Sequence, residues 1–312
     1  MALHKKIEEI IAQTEQAHLP LISEQSLKQM RESFHNLKRL QGDVRALPKV
    51  ETFSLKTPTH EIPARIYCPH LGKSEGVILY FHGGNFVKGD IETFDTLMRD
   101  LAFYSNSQVL SIGYRLAPEH PFPAALDDAL FAYKWLVSEI DRNKSFPKKI
   151  ALAGDNAGGN LVASLTHQIK GEKIQPCFQV LIYPFLDFTF NSPSHTQFKE
   201  GYLLEESSLI WYRKQLVPRK HPFDDPMLSP LFHKNFKNLP PALIITAEYD
   251  PLRDDGESYA DRLKEASIPV KLHRFDGMTH GFFQMATILE SGRKAIYEVS
   301  EEIKKKFSAI LN

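Results

Sequence analysis

Three side chains stand apart by type, setting and order along the chain. Asn156 is the centre of Gly154-Asp155-Asn156-Ala157-Gly158, between the apolar run "KIALA" and the helical pattern "GNLVASL". Asp250 directly follows the apolar run "PALIITAEY". His280 follows "VKLHRFD" and is flanked by Gly277 and Gly281, which permit an irregular loop. Tip residue, acid and base in that order match one known arrangement of a nucleophile at a strand-to-helix elbow, served by a histidine that an aspartate orients. In such a site the imidazole takes the proton of the nucleophile and returns it to the leaving group, while the carboxylate fixes the tautomer. A fourth stretch, "YFHGGNFVKGD" (residues 80–90), ends an apolar run in Gly83 and Gly84. Successive backbone N–H groups there suit an oxyanion. The tip does not fit. The elbow pattern is G-x-S-x-G, and this chain has G-x-N-x-G. A carboxamide supplies a carbonyl oxygen and an NH₂ group, and no ionisable nucleophile. Taken alone, residues 154–158 are equally a Gly-rich β–α turn without chemistry. They are neither a dinucleotide fingerprint nor a phosphate-binding P-loop. Asp254 and Asp255, near Asp250, read as caps of the next helix.

These residues need a frame that brings four loops to one rim. Continuous apolar runs such as "GVILYFHGG", "QVLSIGYRL", "KIALAGDN" and "FQVLIYPFLD" read as strands buried on both faces. Between them lie helical periodicities, notably "AALDDALFAYKWLVSEI" with Leu126, Leu130, Tyr133 and Leu136 or Val137 on one face. Strands alternating with helices imply a mainly parallel sheet with helices on both sides. Ligands bind such sheets at the carboxyl ends of the strands, where all four motifs fall. "VETFSLKTP" and "IPARIYCPH" alternate between prolines and are expected to be antiparallel edge strands. Residues 1–45 read as polar helices with a break near Leu19-Pro20, and residues 188–225 interrupt the β–α rhythm. The expected organisation is helices at 1–45, a core of 46–187 and 226–312, and an inserted helical subdomain at 188–225. Structureless loops of that length are uncommon in compact domains.

Composition narrows the function classes. The 312 residues carry 38 Lys+Arg against 38 Asp+Glu, and a zero formal charge argues against an electrostatic nucleic-acid binder. Cys68 and Cys177 form neither a disulfide framework nor a zinc pattern. The first residues, "MALHKKIEEIIAQTEQAH", lack a signal-peptide apolar core, and no apolar run reaches the length of a membrane span. A cytoplasmic protein is therefore expected. The sequon Asn143-Lys144-Ser145 carries no weight in that setting.

Together the motifs resemble the hormone-sensitive-lipase-like branch of the α/β-hydrolases, which includes carboxylesterases and acetyl esterases. "HGGNFVKGD" resembles its H-G-G-G-x-x-x-G-[DN] oxyanion segment, and "YRLAPEHPFPAALDDA" (residues 114–129) resembles its most diagnostic stretch. "GDNAGGNL" resembles the elbow, and "DPLRDDGESYADRL" and "GMTHGF" resemble the acid and base segments. The resemblance implies an α/β-hydrolase fold with a helical cap. It implies Asn156 at the nucleophile position, Asp250 as acid and His280 as base. Gly83, Gly84 and Ala157 would lie in or beside the oxyanion hole, with His82, Asn85 and Asp155 as further substrate-binding positions. The implied substrates are small esters of short to medium acyl chains, with no metal or cofactor, no nucleic acid and no membrane insertion. Dimers are common in that branch.

Two positions depart from the pattern. Asn85 stands where the last glycine of H-G-G-G falls, and Asn156 stands where serine falls. Asparagine tolerates positive φ, so the elbow survives while the acyl-enzyme step is lost. Three readings follow: an esterase disabled at one side chain, a non-catalytic small-molecule-binding relative that reuses the pocket, or deamidation of Asn156 to a carboxylate nucleophile.

Overall fold

The computed structural model describes residues 2–17, 20, 22–143 and 146–309. Leu19, at the expected break, and Lys144 and Ser145 of the sequon lie outside the described residues. Among the described residues, eight strands form one sheet: β1 (Lys49–Lys56), β2 (Glu61–Cys68), β3 (Gly76–Phe81), β4 (Gln108–Ile112), β5 (Lys149–Asp155), β6 (Phe178–Ile182), β7 (Ala242–Tyr249) and β8 (Val270–Thr279). Their order across the sheet is β1-β2-β4-β3-β5-β6-β7-β8. β1–β2 and β2–β4 pair antiparallel and all later pairs are parallel. The helices are α1 (Lys5–Gln16), α2 (Leu27–Asn36), α3 (Asp95–Ser105), α4 (Ala124–Asn143), α5 (Ala157–Gln168), α6 (Pro193–Gln197), α7 (Glu206–Leu216), α8 (Arg253–Glu265) and α9 (Glu290–Ser308).

The continuous apolar runs have a physical reason. Along β3, Val77, Leu79 and Phe81 join one core layer while Ile78 and Tyr80 join the other. The first layer contains α4, α5 and α8, and the second contains α3 and α9. β3 is followed by a helix on one face and β5 by a helix on the other. Adjacent parallel strands whose connections leave to opposite faces open a crevice at their carboxyl ends, and the Gly83 and Asn156 turns lie in it.

β1 is an edge strand, as expected, but β2 is not, because β4 pairs with its other side. Pro63 is tolerated just beyond Ala64↔Ile112, the last registered pair with β4. Its carbonyl accepts from Gly113 N–H at 2.8 Å, and no donor is required of it there. Asp254 and Asp255 are also corrected, since neither caps α8. Asp255 is fully buried and accepts from Leu186 N–H (3.1 Å), Asp187 N–H (3.0 Å) and the Ser192 hydroxyl (2.8 Å), with His195 Nε2 at 3.1 Å. Asp254 accepts from Ser194 N–H at 2.8 Å. These carboxylates fasten the start of the 188–225 segment to the core. No described helix is long and apolar enough to cross a membrane.

A stacked imidazole pair beside Phe236 and Tyr259 makes stability depend on pH. The rings of His167 and His233 lie 3.7 Å apart at 8°. Burial, then the His233 charge, pushes His167 down to about 2, and burial, then Lys170, pushes His233 down to about 4. The folded state keeps both neutral, whereas the unfolded chain protonates them below about 6.5. The unfolded state therefore binds more protons in acid, and this contribution, present above pH 6.5, is lost as pH falls. The thermal midpoint should drop between pH 7 and 4.5, and His167→Phe should flatten that slope. An unchanged slope would refute the assignment.

Candidate active site

The elbow is built from close backbone approaches. Asn156 caps α5 with φ 50° and ψ −112°, outside the left-handed helical well and therefore strained. Three bonds hold it: its N–H donates to Ile182 O (2.9 Å), and its carbonyl accepts from Asn160 N–H (3.1 Å) and Phe185 N–H (3.3 Å). Gly158 packs α5 against the end of β3 so tightly that a Cβ would lie 1.8 Å from Phe81 O. Gly84 adopts φ +118°, and a Cβ there would lie 2.0 Å from Lys88 O.

Asp250 and His280 converge on Asn156. Asp250 is fully buried and its Oδ2 lies 2.8 Å from His280 Nδ1, while His280 Nε2 lies 3.1 Å from Asn156 Nδ2. The orientation of the Asn156 amide follows from its neighbours. Asn85 N–H, an obligatory donor, lies 2.8 Å from Asn156 Oδ1, so the oxygen must face it. Nδ2 then faces His280 and also donates to Asn85 Oδ1 at 3.1 Å. A primary amide nitrogen only donates, so His280 Nε2 accepts. The proton is on Nδ1, directed at Asp250, and this is the tautomer a general base needs.

The two departures from the motif thus bond to each other. Asn85 has φ 53°, the conformation a glycine would adopt there, and Asn85 and Asn156 are 6% and 2% exposed. The Asn156 carbonyl oxygen sits on a backbone N–H of the glycine turn.

Several expected roles change. Gly83 does not offer its N–H to a ligand, because that group donates to Asp155 Oδ1 at 2.8 Å. Gly84 lines the cavity, and Ala157 opens α5, where helix N–H groups lack intrahelical partners. His82 is not a substrate contact. It is fully buried, stacked on Tyr114 (4.4 Å) and Phe94 (5.4 Å), with Nδ1 2.8 Å from Gly83 O. Burial pushes its imidazole down to about 4. Asp155 reaches the cavity floor, but its oxygens accept from the Tyr80 hydroxyl (2.8 Å), Gly83 N–H and Gln284 Nε2 (3.1 Å). It is an internal brace, and burial pushes its carboxyl up to about 6. The 114–129 stretch braces the same turn: the Tyr114 hydroxyl donates to His82 O (2.7 Å) and Ala117 N–H to Phe86 O (2.8 Å).

Above these groups is a cavity of about 210 Å³. The N-terminal segment contributes Ile22, Phe34, Leu37 and Leu40 to it, and the 188–225 segment contributes Leu203, Leu204, Ser208 and Tyr212. Among the aromatics of that segment, Tyr212 lines the cavity, whereas Phe188 is core and stacks on Phe185 at 4.0 Å. Lys88, Gln284 and Met285 also line it and were not anticipated. The signal for Lys88 was a charge inside an otherwise apolar, glycine-rich segment.

The comparisons with known proteins place the fold in a family. Residues 78–284 match a family model described as α/β hydrolase fold. The chain belongs to the hormone-sensitive-lipase-like carboxylesterases of that fold. A carboxylic ester hydrolase, LipN, of Mycobacterium tuberculosis is 41% identical over 76% of this chain and 65% of its own length. An ethyl acetate hydrolase of Pseudomonas putida is 36% identical, with 79% of each chain covered. The solved structure of a hyperthermophilic esterase from Pyrobaculum calidifontis superposes with a TM-score of 0.92 at 37% identity, covering 99% of this chain and 100% of that one.

Proposed function

We propose that the site is that of a serine-type carboxylic ester hydrolase whose nucleophile position holds Asn156, leaving the chain as it stands catalytically silent or strongly impaired. The observation that carries this reading is the Asp250–His280–Asn156 relay at 2.8 and 3.1 Å, complete except for an attacking oxygen. In the serine form His280 takes the hydroxyl proton, the alkoxide attacks the ester carbonyl, and the oxyanion settles on the turn N–H groups of Gly84, Asn85 and Ala157. His280 then protonates the leaving alcohol, and water repeats the sequence on the acyl-enzyme. Residues 1–45 and 188–225 act as a cap. The small apolar cavity they close suits short to medium acyl chains of neutral esters. Asn156→Ser should hydrolyse p-nitrophenyl acetate and butyrate faster than p-nitrophenyl laurate. No hydrolysis of any of them would refute the reading.

One observation favours a second reading. The Asn156 carboxamide accepts from the Asn85 backbone N–H and donates to Asn85 Oδ1, so the turn is internally bonded without serine. A non-catalytic small-molecule-binding role uses that pocket unchanged. Neutral short esters should then raise the thermal midpoint of the unmodified chain through binding linkage. Stabilisation of the Asn156→Ser form alone would count against it.

A further inference from the structure

Lys88 places a cationic amine in the same cavity as Asn156 and His280. Its stem packs against the glycine turn, with Cγ 3.2 Å from where a Gly84 Cβ would stand. Its Nζ lies 4.8 Å from the ring centre of Phe34 in α2 and 5.1 Å from that of Tyr212 in α7. The amine is therefore held between the two segments that close the cavity. Aromatic faces attract a cation but do not accept the three N–H bonds an ammonium offers.

No carboxylate compensates it among the described residues. The acid on the cavity floor, Asp155, is engaged with Tyr80, Gly83 and Gln284. Burial alone acts on the Lys88 amine, pushing it down to about 8, with no carboxylate opposing the shift. The lysine shares the cavity with the apolar side chains Ile22, Leu37, Leu40 and Leu204 and with neutral polar groups such as Ser208 and Gln284, and a partly desolvated cation without an anion is an unfavourable arrangement. A ligand that brings the anion removes that penalty.

We propose that Lys88 is a specificity-determining residue that selects esters carrying a free carboxylate on the short arm entering this cavity, such as half-esters of short dicarboxylic acids. This rests on the esterase-site reading, and it changes the expected substrate from a neutral to an anionic short-chain ester. The carboxylate meets the Lys88 ammonium in either form, and in the serine form, where the Asn85 N–H is free, the ester carbonyl faces the Asn85 turn. The selectivity is pH-dependent: it holds while the amine is protonated and fades as pH rises above about 8, where the free amine loses its proton.

Calorimetry on the unmodified chain with monoethyl succinate and with ethyl butyrate, close in length and differing in the carboxylate, tests binding without turnover. Monoethyl succinate should bind at least tenfold more tightly at pH 7. The ratio should collapse in Lys88→Met and persist in Lys88→Arg. Equal affinities in the unmodified chain, or a ratio that survives Lys88→Met, would overturn the proposal. Hydrolysis of the same two esters by the Asn156→Ser form, followed by proton release, separates the two claims. Turnover of ethyl butyrate without preference for monoethyl succinate removes the role of Lys88 and leaves the esterase reading intact. A binding preference in the unmodified chain with no turnover in the serine form removes the esterase reading and supports Lys88.

Discussion

Asn156→Ser is expected to raise kcat for short p-nitrophenyl esters by between roughly 10³- and 10⁶-fold over the unmodified chain. The upper figure is the loss recorded when a protease triad loses its serine, about 10⁶, equivalent to about 8 kcal/mol of barrier. The lower figure allows for a catalytic turn carrying Asn85. Two changes accompany the substitution. A hydroxyl is placed next to a His280 whose Nε2 already accepts a hydrogen bond, held by Asp250 at 2.8 Å. The Asn156 carbonyl also leaves the Asn85 N–H, which frees that donor for an oxyanion. Asn156→Ala separates the two effects, because it opens the turn without supplying a nucleophile. It should stay near the background rate. Steady-state assays on the three proteins decide this. Equal activity in the alanine and serine forms would show that unmasking the turn, rather than restoring the nucleophile, is what matters.

Gly158→Ala is expected to destabilise the fold by about 4 kcal/mol or to prevent folding, in the range reserved for severe overpacking. The added Cβ would sit 1.8 Å from Phe81 O and 2.9 Å from His82 O, both backbone atoms. Relief requires α5 to move away from β3, which would carry Asn156 and Ala157 off the rim. Chemical denaturation measures the effect. Gly171→Ala is a fitting contrast, since nothing lies within 4 Å of a Cβ there, although its φ of +84° adds local strain. A loss at Gly158 no larger than at Gly171 would mean that the elbow is not held by this close approach.

The parts of the molecule legible in sequence are those where one residue pattern has one physical solution. β3, β5 and β6 read as buried strands because both of their faces are covered by core. The meeting of Asp250 and His280 was legible because their order along the chain survives whatever the helices between them do. What sequence hid was the direction of side chains and N–H groups at the strand ends. His82 turns inward onto Tyr114 and Phe94, and Gly83 gives its N–H to Asp155. Both are consequences of neighbouring strands meeting, and local pattern does not contain them. β2 looked like an edge strand because of Pro63, but β4 covers it at a point where no proline donor is needed. Asp255 looked like a helix cap and proved to be a buried junction with residues 186–195. The reciprocal amide bonds of Asn85 and Asn156 join positions 71 residues apart. They turn two separate departures from a motif into one local arrangement.

The central claim is that Asp250, His280 and the glycine turn form intact esterase machinery awaiting an oxygen at position 156. Rapid mixing of the Asn156→Ser form with excess p-nitrophenyl butyrate tests it most directly, with intact mass measured at the end of the first turnover. The account predicts a p-nitrophenol burst of about one equivalent per chain and a butyryl adduct on the peptide containing position 156. Adding His280→Ala should abolish both. Hydrolysis without a burst or adduct in the serine form, or an adduct that persists undiminished without His280, would contradict it.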